Sequence, residues 1–202
     1  VWYRARTTES MQGTRALEER YNLEDALVVA GFLNAFVRNA DVVKMANMAQ
    51  LVNVIGPIFS EEHGMFLQTI YYPLQLFANN MKGTALDLNV DCDTYDTPRF
   101  SIGLGEQTTI QKDVPYLDVS AALNGDEITI CVVNRHKDKP LVTDILSQTG
   151  DFVGNFKVFE VNGPDIKSFN DFGKTEVKTV TKSDIKAKGK QITYSFPPHS
   201  FT

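Results

Sequence analysis

The chain has 202 residues, 43% of them hydrophobic and 22% charged, the composition of an ordinary globular protein with room for one large domain or two small ones. Its net charge of −5 argues against a nucleic-acid-binding surface, which needs clustered cations to displace counterions. Two cysteines are too few for a disulfide framework, and no apolar run approaches the length of a membrane-spanning helix.

Residues 1 to 20 start with an aromatic pair, Trp2-Tyr3, and continue as polar loop composition. VWYRARTTES is neither a start-methionine region nor a signal peptide. The chain therefore reads as a piece of a longer protein, and no cellular location is assigned. Asn22 followed three residues later by Asp25 is a helix-start signal. Leu23, Ala26, Leu27, Ala30, Leu33 and Val37 then recur at helical spacing. Val28, Val29, Phe32 and Phe36 fill much of the remaining circumference, so this helix is expected to have protein on most sides. The run VVKMANMAQLVNVIGP follows and predicts a parallel strand covered on both faces, broken by Asn47 and Gln50. Residues 58 to 64 read as a loop carrying Glu61, Glu62 and His63, a solvated set rather than an acid/base pair. Leu67, Ile70, Leu74 and Phe77 predict a helix over 65–81, with Pro73 kinking it or marking its first turn.

At Lys82-Gly83 the texture changes. Ala85 to Cys92 alternates with period two, and further strands are predicted at 116–123, 127–134, 142–146, 154–161, 176–182 and 191–196. Turns rich in Gly, Asn and Asp separate them, which implies an antiparallel sandwich. The chain thus divides into an α/β part, residues 1–81, and an all-β part, residues 82–202. Asp87, Asp91, Asp93 and Asp96 read as the wet face of a strand, since the spacing of a calcium loop is missing. The four lysines between Lys182 and Lys190 read as a solvated hairpin. His63, His136 and His199 are far apart, so neither a metal site nor a cofactor is expected. For Cys92 and Cys131 the two readings are one bridge between strands and a pair of free buried thiols, the second preferred.

YNLEDALVVAGFLNAFVRNADVVKMANMAQLVNVIGPI (21–58), QTIYYPLQLFA (68–78), VPYLDVSAALN (114–124) and PPHS (197–200) together resemble the C-terminal part of the family 51 glycoside hydrolases, the α-L-arabinofuranosidases. Residues 5–15, 99–111 and 162–190 lack clear counterparts. The resemblance implies the end of a (β/α)8 barrel followed by a jelly-roll-like β-sandwich. It implies hydrolysis of terminal non-reducing α-L-arabinofuranosyl units, from arabinan, arabinoxylan or arabino-oligosaccharides, with retention of configuration. Retention uses two carboxyl groups about 5 Å apart. In the family the nucleophile lies in the motif D-E-W-N-V-W-Y, of which only Val1, Trp2 and Tyr3 occur here. Neither catalytic glutamate is expected in this chain, which alone should be inactive.

Two binding positions follow from the resemblance. Trp2 matches the tryptophan that walls the sugar pocket; its alternative is a core aromatic capping the barrel. Gln50 matches the glutamine after strand eight that hydrogen-bonds the arabinose ring; its alternative is an amide satisfied by neighbouring backbone. Asn47 is read as structural. The expected partners are an arabinose-containing glycan, the remainder of the barrel and a second copy in a homo-oligomer, with no nucleic acid and no membrane. The competing reading of the whole chain is a non-catalytic structural or carbohydrate-binding sandwich. For the latter, Tyr95, Phe100 and Tyr116 are the available aromatics.

Overall fold

Asn22 caps the first helix as its spacing predicts. In the computed structural model, which describes residues 18–101, 108–154, 156–183, 185 and 187–202, its side chain accepts from the Asp25 amide while Asp25 accepts from the Asn22 amide. Two further amides that the first turn leaves without helical partners, those of Leu23 and Glu24, donate to the Ser168 and Ile166 carbonyls. Helix α1 (Leu23–Arg38) is followed by a hairpin of β1 (Ile58–Glu61) and β2 (Gly64–Leu67), then helix α2 (Tyr71–Asn80). Pro73 falls in the first turn of α2, where a missing N–H removes no helical bond.

The remaining elements are short strands: β3 (Thr84–Ala85), β4 (Thr94–Tyr95), β5 (Phe100–Ser101), β6 (Thr108–Thr109), β7 (Val114–Pro115), β8 (Leu117–Asn124), β9 (Glu127–Asn134), β10 (Leu141–Leu146), β11 (Val158–Asn162), β12 (Asn170–Asp171), β13 (Lys174–Thr175), β14 (Lys178–Lys182), β15 (Ala187–Lys188), β16 (Gln191–Phe196) and β17 (Ser200–Phe201). Their named pairings are antiparallel. One sheet runs β14-β11-β17-β9-β8-β3 and a second runs β10-β16-β15.

The larger sheet is the middle of three layers. Cys131 and Val133 of β9, with Val161 and Phe201, pack against Leu23, Ala26, Leu27 and Ala30 of α1 and Tyr72 and Phe77 of α2. On the opposite face of the same sheet, Leu117 of β8 and Val132 of β9 meet Phe196, Leu141, Ile145 and Tyr194 of the smaller sheet. This accounts for the unbroken apolar run of β9, buried on both faces, and for the alternation of β10 and β16, buried on one. The sheet's edges are blunted: β3 is two residues long, and β14 carries Lys178 and Lys182 at its ends.

Three sequence expectations change. The parallel strand predicted over Val42–Gly56 does not form. Apart from a bridge between Val52 and Ile58, this stretch has no ladder, and Val42, Met45 and Leu51 are exposed. A parallel strand needs neighbours along its edges, and none of the described residues supplies one. Residues 65–70 are strand and turn rather than helix, because Phe66 stacks on Phe59 across the β1–β2 hairpin. The 85–92 alternation gives a strand only at its first residue; beyond the Leu86 amide's bond to Ala121 it runs alongside the sheet without a ladder.

Candidate functional site

Trp2 lies outside the described residues. Gln50 is exposed, in no strand, and has φ 60°. It opens a tight turn in which Asn53 (φ 59°) and Val54 (φ 53°) are also left-handed. The turn closes on itself through Asn53 N donating to Ile58 O at 2.8 Å, Ile58 N to Leu51 O at 3.2 Å and Gly56 N to Asn53 O at 2.7 Å. Asn53 also accepts from the Ser60 amide at 2.7 Å through its side chain. No Cβ fits at Gly56, where it would lie 2.7 Å from the Leu51 carbonyl carbon and oxygen. Asn47 is exposed as well. The structure therefore does not bring Gln50 and Asn47 into one buried site, and the strand expected to carry them is not formed among the described residues.

Around this turn stands an apolar surface. Val28, Phe32 and Phe36, successive turns of one α1 face, are 38%, 47% and 37% exposed. Met45, Met48, Leu51 and Val52 extend it. The expected burial of α1 on most sides thus holds for the face that covers the sheet and for the side where Val29 and Leu33 meet Tyr21, Ile70 and Leu74, and fails along the Val28, Phe32 and Phe36 face. Between the end of α1 and the start of the β-region lies a shallow groove of about 260 Å³, lined by Phe36, Val43, Met45, Met81, Gly83 and Ala122 among others. Glu62 and His63 form the turn of the β1–β2 hairpin and are solvent-exposed as expected, but the loop expected over 58–64 is strand at Ile58–Glu61, paired with Gly64–Leu67.

The polar groups that sequence reasoning missed are buried. Asp118 on β8 receives Asn34 Nδ2 at 2.8 Å and Arg38 Nη1 at 2.8 Å, and pairs with Arg135. Asn170 donates to the Leu67 and Val177 carbonyls and accepts from the Glu176 and Val177 amides. It also bonds the Tyr72 hydroxyl, a phenol that burial raises above its ordinary pKa. Between the two sheets Glu160 accepts from Lys182 at 2.7 Å and from Tyr194, and the Glu160 bond raises the Lys182 ammonium. These clusters satisfy buried groups and leave no open coordination. No group of three or more metal-ligating side chains occurs among the described residues. A lone amide or carboxylate with no exposure is a signal only once its partners are known.

Set beside known proteins, residues 1–200 match the family model described as the α-L-arabinofuranosidase C-terminal domain. The chain belongs to this family. Among relatives of the arabinofuranosidase C-terminal domain, the chain is 41% identical over 194 residues to a protein of Aspergillus clavatus named "Probable alpha-L-arabinofuranosidase C", covering 95% of this chain and 36% of that protein. It is 38% identical over 196 residues to alpha-L-arabinofuranosidase C of Emericella nidulans, with the same coverage of both. The chain thus spans about a third of the length of these relatives. A solved structure of the thermostable GH51 alpha-L-arabinofuranosidase from Thermotoga petrophila superposes with a TM-score of 0.80 at 27% identity, over 99% of this chain and 40% of that one. The likeness to family 51 read from the sequence is therefore correct, and so is the antiparallel β-domain.

Two of the three aromatics that a carbohydrate-binding sandwich would display are engaged with one another in this arabinofuranosidase C-terminal domain. Tyr116 packs on Tyr95 at 4.8 Å between ring centroids and on His136 at 4.6 Å. Ring faces used this way are not offered to a sugar. Phe100 stands on a separate two-stranded ribbon.

Proposed function

We propose that this chain is the C-terminal part of a retaining α-L-arabinofuranosidase. The whole enzyme removes terminal non-reducing α-L-arabinofuranosyl units from arabinan, arabinoxylan or arabino-oligosaccharides. The observation that supports this reading is the match of residues 1–200 to the arabinofuranosidase C-terminal domain within relatives of which this chain covers about 36%. In this reading residues 1–81 complete the (β/α)8 barrel and residues 82–202 are the sandwich that braces it. The two carboxylates, about 5 Å apart, come from the preceding part of the protein. Trp2 walls the sugar, and the Gln50 amide, which can both donate and accept, bonds the ring hydroxyls.

The apolar surface of Val28, Phe36, Met45 and Leu51 supports the same assignment, since a surface of this kind marks a place where other protein packs. The test is an assay with an aryl α-L-arabinofuranoside. The purified chain 1–202 should give no turnover, and the protein that includes its upstream coding sequence should hydrolyse the substrate with retention. Turnover by 1–202 free of contaminating enzyme, or an inactive full-length protein, refutes the proposal.

A further inference from the structure

We infer that Gln68 is a positioning residue for Gln50, an inference that rests on the proposed role of Gln50 as a sugar contact. Gln50 and two residues of the turn after it, Asn53 and Val54, hold left-handed backbone without being glycine, and for the β-branched Val54 that conformation is a genuine outlier. Such backbone persists only where its surroundings over-determine it. Outside the turn's own bonds, three grips on it occur among the described residues: the Tyr21 hydroxyl on the Ile55 carbonyl at 3.2 Å, the Glu19 amide on the Val54 carbonyl at 2.8 Å, and Gln68.

Gln68 commands the other two. Its Nε2 donates to the Gly56 carbonyl at 2.9 Å and to the Glu19 carbonyl at 3.2 Å, its Oε1 accepts from the Tyr21 amide at 3.1 Å, and its own amide donates to Pro57 at 2.8 Å. One side chain, 1% exposed, thus fastens the turn directly and also fastens the strand of chain that grips it. Gly56 leaves no room for a Cβ against Leu51, so a displacement at Gly56 passes directly to the residue next to Gln50. Only a planar amide with both donor and acceptor makes this set of bonds.

The experiment is a double-mutant cycle in the full-length protein: wild type, Gln50→Ala, Gln68→Met and the double variant, with kcat/KM on an aryl arabinofuranoside and Tm measured for each. Gln50→Ala and Gln68→Met should each lower kcat/KM by about tenfold or more. The double variant should fall no further than the worse single one, because Gln68 acts through Gln50. The Tm loss from Gln68→Met should be the same in both backgrounds. Should Gln68→Met fail to fold, Gln68→Glu keeps the acceptor for Tyr21 but not the donation to Gly56, and the same cycle applies. Multiplicative effects in the cycle, or Gln68 variants with undiminished kcat/KM beside a damaged Gln50→Ala, overturn the inference alone. A silent Gln50→Ala in an active wild type overturns the role of Gln50 and this inference with it. An inactive wild type points instead to the failure of the proposed function.

Discussion

Ser120 Oγ donates to Asn34 Oδ1 at 2.6 Å across the interface of α1 and β8, and neither residue is more than 1% exposed. The Asn34 amide nitrogen in turn reaches Asp118, so hydroxyl, amide and carboxylate form a chain through an otherwise apolar contact. Buried groups of this kind contribute little when paired and cost much when one partner is lost. Asn34→Leu should destabilise the chain by about 1–3 kcal/mol, since it leaves Ser120 and Asp118 short of partners. Arg38→Ala should cost less, because Arg38 is 41% exposed at its side chain and water replaces part of its role. Urea midpoints at unchanged m value give the comparison; equal effects would place the stabilisation in the ion pair rather than in the buried amide.

Two glycines should respond in opposite directions to alanine. Gly83 has φ 96°, and a Cβ there would lie 2.1 Å from the Leu123 carbonyl oxygen. Gly83→Ala combines left-handed strain with a clash against backbone and should cost about 2–4 kcal/mol. Gly31 sits inside α1 with nothing within 4 Å of its Cβ position. Gly31→Ala should stabilise this chain by about 0.5–1 kcal/mol, the helix-propensity difference. Thermal melts of the two variants decide both; a stabilised Gly83→Ala would contradict the packing of β3 on β8.

The two thiols should behave differently. Cys131 is buried between α1 and the sheet, and burial pushes its thiol up to about 12, whereas Cys92 is half-buried. At pH 8 a thiol reagent should titrate Cys92 in the native protein and Cys131 only on unfolding. The sign for stability follows. A folded pKa raised from about 9 means full stability below pH 9 and a loss of up to about 1.4 kcal/mol per unit between pH 9 and about 12. That part of the slope should vanish in Cys131→Ala; native-state labelling of both thiols would refute the burial.

Residues 82–202 expressed alone should not give a cooperative melt. Removing α1 and α2 uncovers Cys131, Val133, Val161 and Phe201 on one face of the central sheet, with Val177 beside them, and strips Asp118 of Asn34 and Arg38. A sharp transition from that fragment would show that the sandwich is closed without its helices.

Much of this was legible in the sequence. The capping box at Asn22 and Asp25 is local chemistry, and the strands at 127–134 and 191–196 declare themselves by β-branched runs between turns. What could not be read depends on partners distant in the chain. Val42 to Gly56 has the composition of a buried strand, yet hydrogen bonds from neighbours decide whether it becomes one. Gln68, Asn134 and Asn170 look like ordinary amides; only their lack of exposure and their bonds to backbone far along the chain reveal what they hold. Gln50 was singled out by resemblance, but its left-handed turn depends on Gln68 and Tyr21, which local sequence does not connect to it.

The blunted rims of the six-stranded sheet bear on how this polypeptide would misbehave when handled by itself. With one rim two residues long and the other tipped by Lys178 and Lys182, this six-stranded sheet offers, among the described residues, no long, bare strand for a second molecule to extend. The sticky part is instead the side formed by Val28, Phe36, Met45 and Leu51. Precipitates of the isolated chain should then be amorphous and dissolve in mild detergent. Ordered fibres should not grow from the rims of the six-stranded sheet, and the first remedy for poor yield is a polar substitution on α1.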